Sequence, residues 1–123
     1  MESKFLYLSL TLSIIGLLIL IYTAETIEPP LSRIKDINQN SVGKNVHIKG
    51  NITKIQRFKG KSILLSIDDD TGNINVYLPY GVAIKFSDSI KEGNRADIIG
   101  TVEIYKGDIE IFVENTYSLR IEK

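Results

Sequence analysis

Basic side chains gathered around an aromatic ring can bind without any catalytic group. The cations neutralise phosphates, and the ring gives a base a face to stack on. Lys54-Ile55-Gln56-Arg57-Phe58-Lys59-Gly60-Lys61 has that composition, with four basic residues around one phenylalanine. The charge around it is biased the same way: Arg33 to Lys61 holds eight basic residues against one acid, Asp36, whereas Ser62 to Lys123 holds six against eleven. The two stretches therefore carry +7 and −5 within a chain of zero formal charge, and this polarity is expected to reach the surface.

Other chemistries find less support. The chain has no cysteine, which excludes disulfides and thiolate metal sites. His47, the only histidine, has outward parity beside Val46 and Ile48, and a metal role is the lesser alternative for it. Asp68-Asp69-Asp70 lacks the spacing and distal glutamate of a calcium loop and reads as a hairpin turn. No serine stands with a histidine and an acid in a recognised arrangement, and no phosphate-cradling glycine loop occurs. A binding protein without enzymatic activity, metal or cofactor is the expectation.

A length of 123 residues allows one compact domain, and the apolar share suffices for one core. Phe5 to Ala24, FLYLSLTLSIIGLLILIYTA, is twenty residues without a charge. At about 1.5 Å per residue such a helix spans the hydrocarbon core of a bilayer, roughly 30 Å. Its apolar character runs all round, unlike a core helix with one polar face. A signal peptide cut after Ala24 would place Tyr22 where a small residue is wanted, so an uncleaved single-pass anchor over residues 1–24 is expected. Tyr7 and Tyr22 lie near its ends, at interfacial depth. Lys4 and the amino terminus precede the helix while Glu25 and Glu28 follow it, which favours a cytoplasmic N-terminus and a domain outside the cell membrane. Residues 25–40, with Pro29-Pro30, read as a juxtamembrane spacer.

Residues 41–123 alternate apolar and polar positions between closely spaced turn signals, the pattern of a small all-β domain. Val46, Ile48 and Ile52 share a parity, with Gly50 as the point where a long strand can coil or bulge. Ile63, Leu65 and Ile67 then pair across the Asp68–Gly72 turn with Ile74, Val76 and Leu78, and Pro79 ends that strand. Tyr80 to Lys91 reads as a short helix or irregular connection. Ala96, Ile98, Gly100, Val102 and Ile104 form the fourth strand, and Ile109, Ile111 and Val113 the fifth, across Tyr105-Lys106-Gly107-Asp108. Leu119 and Ile121 are placed to continue the pairing. Five strands with the long connection between the third and fourth give the order of an OB-fold, a partly open Greek-key barrel.

The runs VGKNVHIKGNITKI, SILLSIDDDTGNINVYLP and KEGNRADIIGTVEIYKGDIEIFV resemble the nucleic-acid-binding OB-fold family of the tRNA-anticodon and helicase type. The resemblance extends from about Val42 to Val113. It is strongest in the strand, Asp, Thr-Gly, strand arrangement from Asp68 to Val76 and in Glu92-Gly93 before the fourth strand. It implies a ligand surface on the outer face of strands two and three, flanked by the loops between strands one and two and between strands four and five. On this chain that surface comprises Lys54, Arg57, Phe58, Lys59 and Lys61 in the first loop, and Asn75 and Tyr77 on strand three. Tyr105 and Lys106 complete it in the second loop. Solvated lysines, a Phe58 that caps the barrel end and a Tyr77 packed beneath a loop are the plainer accounts of the same residues; their convergence argues for a site.

Single-stranded nucleic acid is the first expected partner, with the membrane engaged through Phe5 to Ala24. An extracytoplasmic domain for a protein, peptide or anionic ligand is the alternative, because OB barrels host unrelated ligands. The membrane-anchored OB-fold haem chaperones share the layout of anchor followed by barrel, but they attach haem through a C-terminal histidine. The tail from Tyr117 to Lys123 has none.

Overall fold

A computed structural model describes residues 2–26 and 28–122 of the chain, without the side chains of residues 2 and 22–26. The expected interfacial ring of Tyr22 therefore lies outside the described residues. Helix α1 runs Glu2–Thr26. Within it Ser3–Ile21 is long and apolar enough to cross a membrane, and none of that stretch is buried against the rest of the protein.

Strands β1 (Asn45–Arg57), β2 (Ile63–Asp68), β3 (Asn73–Leu78), β4 (Arg95–Tyr105) and β5 (Asp108–Phe112) form a barrel. Helix α2 (Tyr80–Phe86) lies in the connection from β3 to β4, where the sequence places it. The strand order is β1-β2-β3-β5-β4, closed by antiparallel pairing of β4 with β1. All neighbours are antiparallel except β3 and β5, which run parallel. A sixth strand, β6 (Leu119–Glu122), adds to the expected five by pairing with Arg95–Ile98 of β4.

The inward parity is as the alternation predicts: Ile63, Leu65, Ile67, Ile74, Val76 and Leu78 are all buried. One long strand serves two neighbours because β1 leaves β4 and joins β2 at Asn51. Beside that point Gly50 passes so near β2 that a Cβ there would sit 2.5 Å from the Asp68 carbonyl oxygen, so only glycine fits. The register shift itself falls between Ile52 and Lys54. It reverses the parity, which would otherwise send Lys54 into the core: Lys54 is exposed and Ile55 turns inward. β1 also runs on to Arg57, so the connection to β2 is shorter than expected and begins at Phe58. At the far end of β4 the barrel opens, and Ile104, expected inside, is exposed.

The segment before β1 is fastened to the barrel from Leu31 on, a stretch that sequence composition assigns to the spacer. Leu31 bridges His47, the Ser32 amide donates to the His47 carbonyl at 2.7 Å, and Ile34 is buried in the core. Asp69 secures it from the β2–β3 turn. Its carboxylate accepts from the Ile34 amide at 2.8 Å and from the Thr71 amide and hydroxyl at 2.9 and 2.6 Å. Burial pushes this carboxyl up, but the hydrogen bonds from Thr71, Ile34 and Gly72 outweigh burial and hold it below the ordinary aspartate range.

Candidate nucleic-acid interface

Strand register assembles the outer face of the sheet into two rows. Lys54 lies opposite Ser66, Ser66 opposite Asn75, Asn75 opposite Glu110 and Glu110 opposite Glu103. With neighbouring strands about 4.8 Å apart, this row runs from cation to anions over roughly 19 Å. The next row runs Gln56, Leu64, Tyr77, Phe112 and Thr101. Its centre is aromatic: the Tyr77 and Phe112 rings stack with centroids 5.9 Å apart and planes 19° from parallel.

A groove of about 340 Å³ lies over this pair, walled by Phe58 on one side and by Ile104 and Tyr105 on the other, with Glu103 and Glu110 at its edge. Phe58, 40% exposed, also borders a second groove of the same volume between the β1–β2 loop and α2. The Phe58 amide donates to the Ser62 carbonyl at 3.0 Å, which fixes the loop bearing Lys59 and Lys61. Across the groove Lys106 and Gly107, with φ of 51° and 85°, make the tight turn that joins β4 to β5. The Lys106 ammonium lies 5.4 Å from the centre of the exposed Tyr105 ring.

The nine residues singled out by sequence are thus unequal. Phe58, Tyr77 and Tyr105 line one groove. Lys54, Lys59 and Lys61 are exposed, and none makes an ion pair or side-chain hydrogen bond among the described residues. Asn75 is on the face and accepts from the Ser66 hydroxyl at 3.0 Å. Arg57 is committed elsewhere. Its guanidinium donates to the Ser87 hydroxyl and carbonyl at 3.1 and 3.3 Å and to the Ile90 carbonyl at 3.2 Å, which ties the end of α2 to β1. His47 faces outward as expected, its ring between the Asp97 carboxylate and the Pro29 carbonyl.

Phe112, Glu110 and Glu103 are site residues that sequence reasoning missed. The alternation around Ile109, Ile111 and Val113 does put Glu110 and Phe112 outside, but only the parallel register sets them beside Asn75 and Tyr77. Half-buried among acids, the Glu110 carboxyl is pushed up from its ordinary range by desolvation first, then by the charges of Glu103 and Asp108.

The model of the OB-fold nucleic acid binding domain of the tRNA-anticodon type matches residues 46–119, more than half of the sequence. The chain belongs to this family. An uncharacterized protein of Methanocaldococcus jannaschii is 34% identical over 87 residues, which cover 68% of this chain; this chain spans 11% of that protein's length. Among solved structures, asparaginyl-tRNA synthetase from Pyrococcus horikoshii in complex with asparaginyl-adenylate aligns with a TM-score of 0.63 at 21% identity, over 78% of this chain and 22% of its own. An OBody bound to hen egg-white lysozyme aligns with a TM-score of 0.61 at 24% identity, over 78% of this chain and 97% of its own. At these identities the structural likenesses establish the OB architecture.

The acidic edge of this OB domain has a consequence for stability. A carboxyl raised by folding opposes the folded state once it ionises: the cost is absent below the unfolded pKa and complete above the folded one. Glu110→Gln is therefore expected to raise the melting temperature at pH 7. The gain should vanish as pH falls through the carboxylate range, where protonated Glu110 and glutamine are nearly equivalent. Melting curves from pH 3 to pH 8 check this, and an unchanged or lowered melting temperature at pH 7 would contradict it.

Proposed function

We propose that this chain is a single-pass, membrane-tethered module that binds single-stranded nucleic acid across the outer face of β2, β3 and β5. One observation carries the proposal: a stacked aromatic pair, Tyr77 and Phe112, faces outward in a groove whose wall, Phe58, begins a loop with two unpaired lysines. An outward aromatic platform beside free cations suits bases and phosphates together, and family membership points the same way. Lys54, Lys59 and Lys61 take the phosphates, while Phe58, Tyr77 and Phe112 take the bases. The tether is supported by residues 5–21 of α1, which carry no charge and are all exposed.

A second reading, an extracytoplasmic domain for a protein or peptide, is favoured by Glu103 and Glu110 on the same face and by the charges flanking α1. Those charges point to a barrel outside the cell membrane. Protease added to intact cells should then remove the barrel; survival of the barrel until the membrane is permeabilised would place it in the cytoplasm.

The nucleic-acid reading makes a quantitative prediction for binding to an oligothymidylate. With three lysines on phosphates, log K should fall against log salt with a slope of about −2. Replacing Lys54, Lys59 and Lys61 by alanine should flatten that slope. Phe58→Ala and Tyr77→Ala should each cost roughly 1 to 3 kcal/mol and leave the slope nearly unchanged, because stacking releases few counterions. Absence of binding at low salt, or aromatic variants that bind like wild type, would favour the protein-binding reading.

A further inference from the structure

The chain is fastened to the barrel almost as soon as it leaves α1. Glu28 pairs with Arg120 of β6 at 3.3 Å, and the Pro29 carbonyl accepts from the His47 ring at 3.3 Å. The other ring nitrogen of His47 meets the Asp97 carboxylate on β4, so the segment crosses the outer face of β1, β4 and β6 before Leu31 bridges His47. The charge-free run ends at Ala24 and α1 ends at Thr26. Two helical residues rise about 3 Å, and two fully extended ones reach at most about 7 Å. Glu28 is therefore held within roughly 10 Å of the hydrocarbon that the run spans, a gap that the headgroup layer largely fills. No slack separates this face of the barrel from a bilayer that holds α1.

On that face two large side chains stand out of the barrel. Leu31 is 62% exposed, and Tyr117, in the turn before β6, is 90% exposed. Either one alone on a water-facing surface would need no explanation. These two flank the point where the chain leaves the barrel: Leu31 continues the outward row of His47 and Ile99, and Tyr117 lines a narrow cleft with Glu28 and Ile99. Resting on the reading that α1 is a membrane tether, we propose that the outer face of β1, β4 and β6 docks on the bilayer surface, with Leu31 and Tyr117 sunk in the headgroup layer. Tyrosine suits that depth, since its ring meets acyl chains while its hydroxyl stays hydrated. The neighbouring charges are matched on the protein itself, Glu28 by Arg120 and Lys49 by Glu122 at 3.5 Å, so the contact needs no anionic lipid. In the closed strand order β1-β2-β3-β5-β4, the strand across the barrel from the β1–β4 seam is β3. A barrel seated on that seam turns the Tyr77–Phe112 groove away from the membrane and into the aqueous phase.

The test uses the full chain, isotope-labelled, in nanodiscs of phosphatidylcholine that carry a nitroxide on a small share of the headgroups. Each backbone amide then loses NMR signal according to its closeness to the bilayer surface. Co-purification with the nanodiscs reads the tether, and the pattern of loss reads the docking. The amides of Leu31, Tyr117 and Arg120 should lose most of their signal while those of Tyr77 and Phe112 keep most of theirs, at low and high salt alike. Leu31→Ser combined with Tyr117→Ser should free the barrel to swing, so that the losses at residue 117 and at Tyr77 become similar. A dispersed amide spectrum shows that this variant is folded. Even loss over the whole wild-type barrel at either salt would overturn the inference and leave the tether standing, as would loss greatest at Tyr77 and Phe112, or a double variant that keeps the wild-type pattern. Failure of the chain to co-purify with nanodiscs would remove both.

Discussion

The parallel pairing of β3 with β5 is the contact on which the rest of the molecule depends. It brings the two ends of an antiparallel sheet path together, with Asn75 to Glu110, Val76 to Ile111 and Tyr77 to Phe112 in register. On the inner side it sets Val76 against Ile111, both fully buried, at the centre of the core. On the outer side the same three pairs place an aromatic ring beside an aromatic ring and an amide beside a carboxylate. Side chains alternate across a strand, so one register fixes both faces, and a slip by one residue would empty the core and dismantle the groove together. Gly100 protects this register from β4, where a Cβ would lie 2.5 Å from Ile111 Cγ2 and 2.6 Å from the Phe112 carbonyl oxygen.

Around that contact the protein divides its labour by charge. The basic first half of the barrel sequence supplies β1 and the loop after it; the acidic second half supplies β4 and β5. Closing the barrel turns a gradient along the chain into one across a single face. Residues that fasten the fold are kept apart from those left free. Arg57 is spent on the end of α2, and Asp69 on the segment that carries Ile34 into the core. Lys59, Lys61 and Glu110 have no such duties. A carboxylate held half-buried opposite another acid weakens the sheet it belongs to.

Much of this was legible in the sequence, and the parts that were not share a cause. Local alternation was enough to put Ile63, Leu65, Ile67, Ile74, Val76 and Leu78 inside, and the Asp-Thr-Gly and Lys-Gly turns marked their hairpins. Phe58, Tyr77 and Tyr105 could be named because each lies on an element whose exposed side is set by its own neighbours. Phe112 and Glu110 could not, since their roles come from a strand pairing between residues more than thirty positions apart. Arg57 misled for the opposite reason: its composition matched the lysines around it, while the bulge after Ile52 sets the side of β1 on which it lies, and its guanidinium reaches Ser87 and Ile90. Ile34 was hidden in a segment that reads as linker, because a single buried isoleucine leaves no periodic trace.

The direct test of the central claim is to map where a single strand lies on the surface. A photoreactive single-stranded oligonucleotide is crosslinked by ultraviolet light to the full chain in nanodiscs, and the modified residues are located by mass spectrometry. Crosslinks concentrated at Tyr77, Phe112 and Phe58, and competed away by unlabelled single strand, are the result predicted. Crosslinks confined to the opposite side of the barrel, around His47, Asp97 and Tyr117, or none at all, would contradict it.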